Sequence, residues 1–530
     1  MLYFIPSWYR QEDWSENEQS WHVARTRSEF DDAVKQIQLF HRSSAYPYTI
    51  LLLSYSPNFR HFLHRQSVYH APYWSCFDAI CEVKRKKAAL LSFHNLNWPE
   101  GIEFVYSPLG ILAMLNGRKY AQIEFGEDGN LIRIDMFHSN RLRRRNFYDD
   151  RGFVSSMIVY EAGEAVYQDY LKEDGTWKLR VYFEDGRVDI NPESTGFLIQ
   201  NSGQEYTKNF SKTQYKNLSE VIAEVFFHYV SMTKESDIFC IAMHARHALL
   251  LGNILEQRKT ILSFYEDRFD FNRLAGTDMM LKKANYIITD SKESTQKILD
   301  YCNELEEKIT DISPYDSRVD FGISSQLSSQ KIMVPVDGLM DEEFTKIVQI
   351  IGNYLLENAN AQVHLFTREA DYDMQDKILE KTRTALSGVG LDTRWALVSH
   401  VMTAGENQLY EEDAPVRFFV EQCVDELAVS KCMREQRILV DVRKIPELYL
   451  QVTAISMGIP QIVLAKTKFI EDKKNGQILK SLEDLCQSLH FYLDSLNNWN
   501  EAMVASYELG KKFSTAALID KWKEVIKSVE

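Results

Sequence analysis

The sequence predicts an α/β protein of two domains, each a parallel sheet covered by helices, with an antiparallel β-meander inserted into the first. Three observations carry this. Short apolar runs alternate with amphipathic stretches of helical period on both sides of residues 76–204 and again after residue 330. Within 76–192 the period drops to two, in runs such as 120–125, 131–137 and 177–183. Turn residues then recur at Gly129, Asn140, Gly152, Gly163, Gly175 and Gly186, spaced 11 or 12 apart, and three of them are Asp-Gly. At about 150 residues per domain, a chain of 530 residues has room for this organisation.

The first domain opens with a strand over 2–6, a helix over 28–40 with Ser28 as its N-cap, a strand over 48–55 and a helix over 57–66. After the meander it resumes with a helix over 218–230, strands over 238–243 and 260–265, and a helix ending near Lys283. Residues 284–291 read as a buried strand running into a Ser/Asp helix cap, followed by a helix over 292–307. Residues 314–330 have linker composition. The second series has strands over 331–336, 362–366, 395–398, 418–420, 438–442 and 461–465, with helices over 341–356, 372–386 and 446–457. Helical segments follow from Ser481. The expected boundaries are 1–75 with 205–320, the insertion 76–204, a second Rossmann-like domain 321–505 and a helical tail 506–530, the two α/β domains facing a cleft.

Composition narrows the function classes. The formal charge of −15 repels nucleic acid and anionic lipid except at a local basic patch. The longest apolar runs, 48–55 and 104–115, are too short to span a bilayer, and the N-terminus lacks the basic and small-residue signals of a secretory leader, so a cytoplasmic protein is expected. Seven cysteines with no C-x-x-C pair argue for reduced thiols. The tightest pair, Cys76 and Cys81, has no clustered histidine, and neither a metal nor a cofactor is expected. No hydrolase, zinc-protease or P-loop motif is present; His244 and His247 share a helical spacing but are flanked by apolar residues and read as scaffold.

The most informative stretch is 438–463. A buried strand delivers a loop, Pro446 opens a helix at its favoured first position, Gly458 ends that helix in the left-handed region and Pro460 starts the next strand. Local physics alone requires no more than a well-punctuated β-α-β unit. The arrangement also resembles the donor-binding motif of GT-B glycosyltransferases, which implies a GT-B-like arrangement of the two Rossmann-like domains. Residues 284–291 and 475–499 are similar to other parts of that fold, and the meander resembles the insertion of glycosyltransferases that act on serine-rich adhesins. Retaining members of that group place two glutamates eight positions apart before the Gly-x-Pro turn. Alignment on Gly458 and Pro460 puts Ile445 and Thr453 there, and neither replaces a carboxylate. Glu447 is two residues off register, roughly 200° around a helix. The phosphate site fails separately: after the strand at 331–336 come Gly338 and then Asp341, Glu342 and Glu343, acids that suit the helix dipole and repel a diphosphate. Arg443 and Lys444 remain as cations near the site.

Two basic clusters stand out, Lys84, Arg85, Lys86 and Lys87, and Arg141, Arg143, Arg144 and Arg145. Each is either solvated surface or a docking patch for anionic lipid or an acidic partner. Together with residues 1–9 and 441–451, the whole chain resembles the accessory secretory protein one family of the Gram-positive accessory Sec export system. That resemblance implies a non-catalytic GT-B-like component that assembles with accessory secretory proteins two and three. It also implies cooperation with the accessory SecA motor in delivering glycosylated serine-rich repeat adhesins to the membrane channel. The alternative is an active glycosyltransferase that modifies the adhesin from a nucleotide sugar.

Overall fold

The computed structural model describes residues 1–9, 14–15, 18–22, 31–201, 203–266, 268–371, 373–397 and 416–530. These divide into two compact units, Met1–Asp311 with Lys523–Glu530, and Ile312–Trp522.

The first unit is built on seven parallel strands in the order Ile309–Asp311, Tyr286–Thr289, Lys259–Phe264, Ile238–Ala242, Leu2–Ile5, Tyr48–Leu52, Tyr73–Ser75. Leu2–Ile5 and Ile238–Ala242 are buried at every position, as strands covered on both faces must be. The strand order reverses between them, which creates a topological switch point at their C-terminal ends. The first helix is Asp32–Ser43, and Asp31 caps it by accepting from the Ala33 N–H at 2.9 Å. Ser28, the expected cap, lies outside the described residues.

The meander is a ten-stranded antiparallel sheet running from Ile102–Ser107 to Gln214–Tyr215. All six turn residues read from the sequence have positive φ, from 61° at Asn140 to 97° at Gly163. The sheet begins later than the expected boundary at 76, because Tyr73–Ser75 pairs into the parallel sheet and Cys76–Ile80 is a helix in the main core. Nor does the insertion own its whole core. Phe93, Ile111, Ile123 and Ile134 form a separate cluster at one end, whereas Tyr170, Leu179, Val188, Phe197 and Ile199 pack into the core of the parallel sheet. A buried ion network adds a second tie. Arg60, on helix Phe59–Arg65, pairs with Asp150 and lies 3.4 Å from Asp149, while Arg151 bridges Asp149 and Asp78 at 2.7 Å each.

The second unit has six parallel strands in the order Phe418–Gln422, Ala361–Thr367, Gln330–Pro335, Ile438–Asp441, Gln461–Val463, Gly476–Ile478. Its switch point lies between Gln330–Pro335 and Ile438–Asp441. The expected strand at 395–398 is not one in its described part: Thr393–Trp395 is a tight turn closed by Asp392, which accepts from the Arg394 N–H at 2.9 Å, and Phe418–Gln422 takes the edge position. Val398 lies outside the described residues. Helix Leu448–Met457 starts after Glu447, so Pro446 stands ahead of the helix rather than at its first position. The expected boundary at 505 falls inside the continuous helix Leu496–Lys511. The final helix, Thr515–Val529, contributes its last residues to the first unit, where the Glu530 carboxylate accepts from the Tyr46 hydroxyl at 2.7 Å and its main-chain oxygen from Lys259 at 2.6 Å.

Candidate functional site

In a sheet of this order a ligand is bound at the C-terminal ends of the strands beside the switch point. In the second unit those ends deliver Asp337 after Gln330–Pro335, Arg368 after Ala361–Thr367, and Arg443 to Glu447 after Ile438–Asp441. Both arginines at these ends are engaged within the chain, while Lys444 is 80% exposed. Arg443 is buried and forms a two-pronged pair with Asp441, Nε to Oδ1 and Nη2 to Oδ2, each at 2.8 Å. Asp441 is fully buried, so its charge needs that partner. Burial works against the Arg443 charge, yet the Asp441 hydrogen bonds and field hold the guanidinium above its ordinary pKa. Arg368 pairs with Glu447 through Nε at 3.1 Å and through Nη2, and its Nη1 donates to the Cys423 carbonyl at 3.0 Å. Asp337 accepts from the Thr367 hydroxyl at 2.5 Å and from the Arg368 N–H at 2.7 Å.

The residues singled out in the sequence fall around this arrangement. Ile445 is 73% exposed and offers no polar side-chain atom. Thr453 is buried, and its hydroxyl donates back to the Tyr449 carbonyl at 2.7 Å. Glu343 folds over the helix start, accepting from the Met340 N–H at 3.2 Å, and lies 3.9 Å from Lys444. Asp341 pairs with Lys381 at 2.7 Å, and Glu342 is exposed. The acids therefore serve their own helix Asp341–Glu357. Gly458 has φ +71°, and a Cβ there would stand 2.7 Å from Met503 Cγ. Pro460 accepts from the Leu439 N–H at 3.0 Å and registers the next strand. Glu447 faces Arg368, 79 residues away in the chain, a pairing that the angle around a single helix does not reveal.

The first unit's switch point is filled by side chains. Tyr9 donates to His247 Nε2 at 2.7 Å, and the ring's Nδ1–H donates to the Ala242 carbonyl at 2.6 Å, an acceptor that fixes the tautomer. Tyr9 packs edge-on against Trp14, His244 and His247. Burial, with the Arg268 charge adding to it, pushes His247 down to about 3 and His244 to about 4, so both are neutral at physiological pH. A cavity of about 560 Å³ in this unit is lined by Met1, Pro72, Tyr73, Trp74, Arg85 and Lys86. Met1, Pro72 and Tyr73 lie at the N-terminal ends of their strands, the edge opposite the switch point.

The basic clusters are only partly available. Arg145 makes a two-pronged pair with Asp135 at 2.8 Å and Arg85 pairs with Glu173 at 2.9 Å, while Lys84, Lys86, Lys87, Arg141, Arg143 and Arg144 are exposed. No helix among the described residues is long and apolar enough to cross a membrane.

The family model for the accessory Sec system protein one matches residues 1–529. A curated relative of that description from Streptococcus gordonii is 31% identical over 538 residues, covering 99% of each chain. The crystal structure of accessory secretory proteins 1, 2 and 3 in Streptococcus pneumoniae contains a chain of 28% identity and TM-score 0.82, covering 100% of this chain and 99% of that one. The pneumococcal O-GlcNAc transferase GtfA in complex with UDP and GlcNAc matches at TM-score 0.68 and 12% identity, covering 100% and 98%, a likeness of fold alone, of the GT-B kind.

Proposed function

Because the chain belongs to the accessory Sec system protein one family, we propose that it serves that export machinery as a glycosyltransferase-like scaffold with no transferase activity of its own. The observation that carries the reading is the second unit's switch point, where Arg443 is held by Asp441 and Arg368 by Glu447. A diphosphate arriving there would have to break a buried ion pair, at a cost of about 3–5 kcal/mol, before gaining a cation. The two expected donor-site carboxylates are replaced by Ile445 and Thr453, so an active transferase is not favoured.

On this reading the scaffold assembles with accessory secretory proteins two and three, the composition of the crystal assembly that contains its structural relative. It works at the cytoplasmic face of the membrane, helping pass glycosylated serine-rich repeat adhesins to the accessory SecA motor. Peripheral contact with anionic lipid runs through the exposed lysines and arginines of the meander and of the segment leading into it. The test is co-expression of the three accessory proteins: one stable complex is expected from the parent, with no transfer of sugar from a nucleotide donor to adhesin. Failure to co-purify, or transfer that is lost when Asp441 and Glu447 are changed, overturns it.

A further inference from the structure

Strand Phe418–Gln422 is the edge of the second unit's sheet. Successive side chains alternate faces, so Phe419, Glu421 and Cys423 leave the same side. The Cys423 N–H donates to the Thr367 carbonyl at 3.0 Å, which extends the ladder by one residue and fixes its direction. Helix Glu426–Arg434, capped by Asp425 accepting from the Ala428 N–H at 2.7 Å, then turns back and brings Cys432 over Cys423. The two Sγ atoms and a carboxylate oxygen of Glu421 lie within 4.8 Å of one another. Among the described residues no other three such donors converge so closely.

A buried histidine stands behind the carboxylate. His364, on the neighbouring strand, bonds Glu421 Oε1 through Nδ1 at 2.7 Å and stacks on Phe419 with ring centroids 5.2 Å apart. The residue is 5% exposed, and its Nε2 is buried with no hydrogen-bond partner among the described residues. Glu421 and Cys432 are only partly buried, which leaves a path from solvent.

We propose that Glu421, Cys423 and Cys432 form a site for a thiophilic divalent cation of the zinc class, with water in the fourth position and His364 orienting the carboxylate. Two thiolates with one carboxylate suit zinc and disfavour magnesium or calcium, which take oxygen ligands. Binding displaces the thiol protons to solvent and changes no oxidation state.

The probe is cobalt(II), titrated into the reduced full-length protein. A thiolate-to-cobalt charge-transfer band saturating at one equivalent and displaced by zinc is expected. Cys423→Ser with Cys432→Ser should abolish the band. Glu421→Gln should keep it at lower affinity, and His364→Ala should weaken affinity about 10- to 100-fold, the usual cost of losing a group that orients a ligand. Should the serine variant not fold, zinc must still slow alkylation of Cys423 and Cys432 in the parent, read by mass spectrometry. No band, a band that survives in a folded serine variant, alkylation unaffected by zinc, or a Cys423–Cys432 disulfide formed under diamide without any metal uptake overturns the proposal.

Discussion

Arg368 reaches from the end of one strand of the second sheet to Glu447, the cap residue of the helix after another, with Nε 3.1 Å from the carboxylate. The pair spans the place where a sheet of this order holds a nucleotide, so one interaction both ties two loops together and occupies the cations' side of the site. Both side chains are about a quarter exposed, so the bridge contributes modestly, about 1 kcal/mol. Arg368→Ala is expected to lower stability by about 1–2 kcal/mol in chemical denaturation, since the hydrogen bond to the Cys423 carbonyl is lost as well. It should not create nucleotide binding, because Arg443 stays engaged with Asp441.

Positions 445 and 453 should respond differently to a glutamate. Ile445→Glu falls on exposed surface and should change stability by no more than about 0.5 kcal/mol. Thr453→Glu places a carboxylate on a buried face of helix Leu448–Met457, and should cost about 1–3 kcal/mol. The double variant should show no sugar transfer in a radiolabel assay; measurable transfer would mean that the carboxylates alone were lacking.

Acid should act through the first unit's histidines. His247 is neutral in the fold with a pKa near 3, against about 6.5 when unfolded, so the unfolded chain binds the extra proton between those values. The sign is destabilising as pH falls below 6.5, and by pH 5 His247 alone should contribute a loss of about 2 kcal/mol. His247→Gln, which retains a donor and an acceptor, should have a shallower decline in stability from pH 7 to 5 than the parent in urea titrations. Parallel declines would place the proton elsewhere.

Much of the architecture was legible because parallel strands covered on both faces are mostly apolar, and Ile238–Ala242 and the first three residues of Ile438–Asp441 show it. The six turns were legible because only a few residues accept positive φ. Three-residue strands such as Tyr73–Ser75 and Gly476–Ile478 are too short to display a period, and their pairing is set by neighbours far away in sequence. The insertion's shared core was hidden for a related reason: alternation marks Leu179 and Ile199 as buried without saying that the core they join belongs to the parallel sheet. At the site, the absence of carboxylates at 445 and 453 could be read directly. The pairing of Arg368 with Glu447, and the convergence of Cys423 with Cys432 across eight intervening residues, are products of the fold.

Removing the exposed arginines should separate lipid contact from assembly. Repulsion by the net charge of −15 is screened within roughly 8 Å at physiological salt, and each cation held at an anionic surface contributes about 1 kcal/mol. Changing Arg141, Arg143 and Arg144 to Gln should reduce sedimentation with anionic vesicles and leave co-purification with the accessory partners intact. Arg145 is left in place because it neutralises Asp135. Changing Lys84, Lys86 and Lys87 to Gln tests the second cluster, and undiminished sedimentation of the combined variant would leave both as ordinary solvated surface.

The most direct test of a closed donor site is calorimetric titration of the purified full-length protein with UDP-N-acetylglucosamine, alongside its melting temperature at saturating ligand. No binding heat and an unchanged melting temperature are predicted, because a ligand that does not engage the native state cannot stabilise it. Saturable binding that raises the melting temperature and disappears on changing Arg443 or Arg368 would show that the ion pairs open for a nucleotide, and would contradict the account.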